Sequence, residues 1–168
     1  MTDEQDDMQE DSPEDGAQVF RRILVGLDGS EGSQRALAWA TRAAAMAGAE
    51  VLAVHVLTPS REMRVDLSPT GLTNWRIALR KDLETTWTAP LRDAGVTHRA
   101  ILVEDDTPAA GICQLADGEH VDLVVVGAQG HRGFADRLLG SVSQRLTHQA
   151  HQPVVIVPPD WWTPPPAA

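Results

Sequence analysis

The chain has 168 residues, a formal charge of −10 at pH 7 and a single cysteine, a length that fits one domain with a substantial core. Residues 1 to 16 hold eight carboxylates and no Lys or Arg, which leaves only −2 for the rest; nothing in that balance favours nucleic acid or an anionic membrane surface. One cysteine excludes an internal disulfide framework, no Cys/His group has zinc-finger spacing, and no apolar run approaches the roughly 18 residues that span a bilayer.

The opening stretch, residues 1 to 18, lacks an apolar period and reads as a solvated, disordered acidic tail,. It is the opposite of a secretory signal, so a cytoplasmic location is expected. The first strand follows at Phe20 to Asp28, with Ile23, Leu24, Val25 and Leu27 as its core, and ends in the polar turn Asp28-Gly29-Ser30. A helix is expected from about Ser33 to Met46, alanine-rich on the face that packs, with Gly48 as its stop,. Val51 to Leu57 is the second strand and embeds His55 in an apolar run, where a hydrogen-bonded structural histidine is the expected reading,.

Residues 58 to 70 contain two prolines and no clear period. Leu72, Trp75, Leu79, Leu83, Trp87 and Leu91 then recur at three- and four-residue steps, the core-facing stripe of one long amphipathic helix whose last turn Pro90 should kink or shorten and which Gly95 should end,. Residues 96 to 104 form strand three. Asp105-Asp106-Thr107-Pro108 has the chemistry of a helix start, a capping side chain ahead of a proline, rather than of a cation site,. The short helix it opens runs to about Glu119, and Cys113 within it reads as a small core residue.

Residues 121 to 141 carry the strongest signal. Val121, Leu123, Val124, Val125 and Val126 are a nearly unbroken β-branched run, the pattern of a strand buried on both faces of a parallel sheet,. The loop after it bears Gly127 and Gly130, read as residues that permit unusual dihedrals and close ligand approach, and Gly140-Ser141 opens a helical segment whose free amides suit a phosphate,. P-loop and dinucleotide fingerprints are both absent,. A last helix leads to Pro153 and the strand Val154, Val155, Ile156 and Val157, after which residues 159 to 168 form a tail rich in Pro and Trp.

The alternation of strands and helices predicts an α/β fold. A single five-stranded parallel sheet, doubly wound in the order 3-2-1-4-5 with helices on both faces, brings strands one and four side by side. The Asp28 turn and the Gly127 loop then face one crevice. One offers a carboxylate for ribose hydroxyls or a magnesium ion, and the other offers amides for phosphate.

The spacing Gly-x2-Gly-x9-Gly-Ser, filled by Gly127, Gly130, Gly140 and Ser141, resembles the nucleotide-binding signature of the universal stress protein family. The resemblance covers roughly residues 20 to 158, within a nucleotide-binding domain read as residues 19 to 158, through ILVGLDGS, VHV and GSVSQRLTHQAHQPVVIVP. It implies a cytoplasmic stress-response regulator that binds ATP, AMP or another adenine nucleotide, with or without Mg2+. Carried over, it puts Asp28 on the ribose, the backbone of Val56 by the adenine, and Gly127, Gly130, Gly140, Ser141, Val142 and Ser143 along the phosphates. Gln129 and His131 depart from the His and the Lys or Arg often seen beside Gly130. No base beside a water or hydroxyl is identifiable, so binding is expected rather than catalysis, with a slow ATPase or autophosphorylating activity as the enzymatic alternative. Another alternative is a dimeric interaction module that binds no nucleotide.

The resemblance also implies a homodimer built on the last strand, and the sequence argues the same way. Val154 to Val157 is an apolar edge without charge or bulge, which invites two-fold pairing with another copy. A regulatory protein partner is implied as well.

Overall fold

The computed structural model describes residues 20–58, 68–130 and 139–160. The acidic tail, most of the connection after strand two, His131 with Arg132, and Trp161 with Trp162 lie outside the described residues. Strand β1 (Arg22–Gly26) is followed by helix α1 (Glu31–Ala47), β2 (Glu50–Leu57), α2 (Pro69–Asp82), a π-helical turn (Leu83–Trp87), α3 (Ala89–Asp93), β3 (His98–Glu104), α4 (Pro108–Gly118), β4 (Leu123–Gly127), α5 (Ser141–Gln149) and β5 (Val154–Val157). The strands form one sheet in the order β3-β2-β1-β4-β5 with every neighbour parallel. This is the topology expected from the alternation of apolar runs and helical stripes.

Strand alternation sorts the core into two layers. Ile23, Val25, Val51, Ala53, Leu123 and Val125 turn to one face and pack on Ala36, Leu37, Ala40 and Ala44 of α1 and on Leu83 and Leu91. Leu24, Leu52, Val54, Val56, Val124 and Val126 turn to the other and meet Ala109, Ile112 and Ala116 of α4 and Leu146 of α5. Alanine on α1 lets that helix approach the sheet closely. Thr107 caps α4 as expected, its Oγ1 accepting from the Ala110 amide at 3.2 Å. Cys113 is half-buried on α4, and burial first, then the Asp117 carboxylate, pushes its thiol up from the ordinary range.

The single long helix expected over residues 72–91 is in fact three pieces. Its stripe repeats every four residues from Trp75 to Leu91, whereas an α-helix turns once in 3.6, so each step drifts by about 40° from the sheet. The wider π turn at Leu83–Trp87 takes up the drift, and Leu83 and Leu91 are both fully buried as a result. The carbonyls it displaces are satisfied: Thr88 Oγ1 donates to Leu83 O and Glu84 O, each at 3.0 Å, and the Arg92 guanidinium donates to Glu84 O at 2.9 Å and Thr85 O at 2.7 Å. Pro90 does not kink a helix end. It sits in the first turn of α3, where its missing N–H costs nothing,. Upstream, Leu72, Trp75 and Leu79 are only half-buried, so the stripe belongs to the core from Leu83 onward.

At the amino ends of the strands, a closed ion network ties three strands to α4. Glu50 bridges Arg22 Nε at 3.0 Å and Arg99 Nε at 2.8 Å, and Arg99 Nη2 reaches Glu119 at 2.7 Å. The Arg99 hydrogen bond holds the Glu119 carboxyl below the usual carboxylate range. A depressed carboxylate stabilises the fold above its unfolded value, roughly pH 4.3, and that contribution is lost as the pH falls through the folded value. Glu119→Gln is therefore expected to melt slightly below wild type at pH 7, with the gap closing in acid. Thermal melts across pH 3 to 7 check it, and an undiminished gap at pH 3 would contradict the electrostatic account.

Candidate functional site

Strands β1 and β4 lie side by side, with Val25 opposite Val125, so their carboxyl ends open onto one crevice,. On the β1 side the chain turns at Asp28-Gly29-Ser30. Asp28 Oδ1 accepts from the Ser30 amide at 3.0 Å and from Ser30 Oγ at 2.5 Å, while Ser30 Oγ in turn accepts from the Ser33 amide at 3.2 Å and caps α1. One carboxylate oxygen is thus committed to building the turn. Gly29 has φ 80°, a left-handed conformation that suits glycine,.

On the β4 side, Gly140 N donates to Ala128 O at 2.7 Å, and Ser143 Oγ donates to Ala128 O at 2.9 Å and Gly140 O at 3.0 Å. These bonds hold the start of α5 against the end of β4. Gly140 is the N-cap of α5 and offers no side-chain cap. The amides of Ser141, Val142 and Ser143 therefore have no partner within the helix, and they sit at the positive end of its dipole.

The two sides enclose a cavity of about 530 Å3, within the range of small-molecule sites,. All eight residues named from the sequence, Asp28, Val56, Gly127, Gly130, Gly140, Ser141, Val142 and Ser143, line it. Its walls also take in Val54, Ile112 and Val126, an apolar slot, together with His55 and Thr58 at the end of β2 and Gln129 and Gln144 beside the start of α5. His55 Nδ1 donates to Leu27 O at 2.6 Å, the structural role expected of it,. Pro108 and Ile112 were not legible as site residues, because only the crossover of α4 brings them to the crevice.

The glycines work differently from the expectation. Among the described residues, positive φ occurs at Gly29, Gly48, Gly95 and His120, not at Gly127 or Gly130. What those two positions require is the absence of a Cβ. At Gly127 a Cβ would stand 2.5 Å from the carbonyl oxygen of Gly32 in α1, and at Gly32 a Cβ would overlap the carbonyl oxygen of Gln129. Gly127 thus admits the first turn of α1. At Gly130 a Cβ would collide with Oδ2 of Asp28, so this glycine makes room for the carboxylate on the opposite side of the crevice.

Among the described residues no three or more His, Cys, Asp or Glu side chains gather to hold a metal, and Asp28 is the charged residue lining the cavity. Asp105 is engaged elsewhere, accepting from the Thr107 amide at 3.2 Å and from Gln114 at 3.0 Å. No helix among the described residues is long and apolar enough to cross a membrane.

The sequence model of the Universal stress protein family matches residues 20–158. A curated relative, the universal stress protein in the QAH/OAS sulfhydrylase 3′ region of Thermus aquaticus, is 32% identical over 142 residues, which cover 83% of this chain and 99% of the relative. The chain spans about half the length of the mycobacterial relatives it matches. Among solved structures, the hypothetical protein MJ0577 superimposes with a TM-score of 0.73 at 26% identity, over 83% of this chain and 96% of that one. A universal stress protein crystallised in complex with cAMP gives 0.58 at 27% identity, over 82% of this chain and 96% of that one.

Proposed function

The chain belongs to the universal stress protein family, and from that premise we propose that it binds an adenine nucleotide in the cleft beyond β1 and β4 and acts as a stress-response regulator whose shape or partners the ligand sets. The observation that carries this reading is the convergence of the whole motif on one cavity, which brings together an apolar slot, a carboxylate and an uncapped helix start. The relative crystallised with cAMP supports the ligand class. The backbone of Val56 and the apolar side chains around it take the base. The Asp28 carboxylate accepts from the ribose hydroxyls, and the α5 amides, that of Ser143 among them, take phosphate together with the Ser141 hydroxyl.

ATP is the proposed physiological ligand, with Mg2+ held mainly by its phosphates and water and Asp28 as the protein's one carboxylate contribution. Residues 19 to 158 carry the binding function, and the two tails lie outside it. Mass spectrometry of gently purified protein should release an adenine nucleotide in near-stoichiometric amount. Protein that carries none and takes up none when incubated with millimolar ATP, AMP or cAMP would instead support the reading of a nucleotide-free interaction module.

We further propose a homodimer through β5. Val154, Val155 and Ile156 are half-buried on the outer strand of the sheet, which among the described residues is paired on one side only, to β4. Pairing with the same strand of a second copy would satisfy both edges. Light scattering should give a dimer for wild type and a shift toward monomer for Val155→Lys. A wild-type protein that is monomeric at high micromolar concentration would contradict this.

A further inference from the structure

The ribose side of the cleft rests on a support that lies outside the cleft. A Cβ built on Gly29 would stand 2.9 Å from Cζ2 of Trp87 and 3.4 Å from Cε2 and Cη2, so the edge of the indole lies directly against the backbone of the Asp28-Gly29-Ser30 turn. The same ring meets the imidazole of His55 edge-on, with centroids 5.4 Å apart and planes at 74°. His55 lines the cleft and donates to the carbonyl of Leu27, the residue before Asp28. Trp87 therefore touches the Asp28 turn directly and also through His55, from a position that does not line the cavity.

Its own placement is fixed. Trp87 is the last residue of the π-helical turn, and the hydrogen bonds of Thr88 and Arg92 to the carbonyls of Leu83, Glu84 and Thr85 hold that turn open. π-Helical turns recur at functional sites because they re-aim a side chain that a regular helix would rotate away. Gly29 completes the fit: a larger residue would be strained at its φ of 80° and would strike the indole,.

We propose that Trp87 is a positioning residue of the nucleotide site, holding the Asp28 turn and the His55 ring so that the Asp28 carboxylate meets the ribose hydroxyls. This rests on the nucleotide-binding reading above. It predicts a loss specific to the ribose, not a uniform weakening.

The experiment titrates the full chain, Trp87→Leu, Trp87→Phe and Asp28→Asn with AMP and with 2′,3′-dideoxyadenosine 5′-monophosphate, which lacks the ribose hydroxyls. Wild type should prefer AMP by at least about tenfold, the order expected for a charge-assisted hydrogen bond. Trp87→Leu should lose most of that preference, as Asp28→Asn does, while its affinity for the dideoxy compound stays within about threefold of wild type. Trp87→Phe, which keeps an aromatic edge, should retain most of the preference. Equal weakening toward both ligands, or an unchanged preference, would overturn the proposal while leaving nucleotide binding intact. A wild type that binds neither compound would overturn the nucleotide reading and this inference together.

Should Trp87→Leu fail to fold, 5-fluorotryptophan labelling of the intact chain decides. The fluorine resonance assigned to Trp87, by its absence in Trp87→Phe, should shift with AMP and stay in place with inorganic phosphate. A resonance unmoved by saturating AMP would overturn the proposal.

Discussion

Gly32→Ala is expected to lower the melting temperature by about 4–8 °C, an effect far larger than a methyl group on a helix surface would suggest. The Cβ it introduces overlaps the carbonyl oxygen of Gln129, and the approach is tight from the other side too, since a Cβ built on Gly127 would stand only 2.5 Å from the Gly32 carbonyl oxygen. Both obstacles are backbone, which cannot rotate aside as a side-chain tip can. Overpacking of this kind costs up to about 3 kcal/mol, and the better helix propensity of alanine returns somewhat under 1. The remaining 2 kcal/mol or so corresponds to several degrees for a domain of this size. Gly118→Ala is the control. Nothing lies within 4 Å of a Cβ built there, so it should melt at or slightly above wild type. Calorimetric melts of the two variants test the contact, and equal melting temperatures would refute it.

Gly130→Val is expected to weaken AMP binding by roughly 100-fold or more while the fold melts within a few degrees of wild type. The valine Cβ would collide with Asp28 Oδ2, but that oxygen is the tip of a side chain rather than backbone and can swing away. The fold tolerates the displacement, whereas the ligand loses its ribose acceptor. A hydrogen bond to a charged group contributes about 1.5–3 kcal/mol, and crowding the cleft adds a similar cost, which together account for the factor. Isothermal titration of the folded variant checks it. Wild-type affinity would show that Asp28 and Gly130 do not share the site.

Much of this was legible because the strands announce themselves. The runs around Ile23, Val51 and Val124 are apolar on consecutive residues, as strands covered on both faces must be,. Their alternation with helical stripes left few topologies in which the Asp28 turn and the Gly127 loop could avoid meeting. The eight residues that the resemblance named all line one cavity.

What escaped was contact between segments distant in sequence. Gly32 carries no signal of its own. Its role exists only where α1 passes Gly127 and Gln129, about a hundred residues away. For the same reason one half of the reading of Gly127 and Gly130, unusual dihedrals beside close approach, was misplaced: both hold ordinary φ, and what they supply is empty space beside Gly32 and Asp28. The four-residue stripe from Trp75 to Leu91 suggested one helix, because the drift that forces a π turn becomes visible only against a sheet. Trp87 accordingly read as core, and its contact with the Asp28 turn emerged from the fold.

The most direct measurement is a calorimetric titration of the full chain with AMP, cAMP, and ATP with and without Mg2+, each to millimolar concentration, alongside Asp28→Asn and Gly130→Val. Saturable binding of one adenine nucleotide per chain to wild type, with a dissociation constant below about 1 mM, weakened by about tenfold or more in Asp28→Asn and by roughly 100-fold or more in Gly130→Val, is the predicted result. A folded wild type that gives no binding heat and no change in melting temperature with any of these ligands would contradict the account.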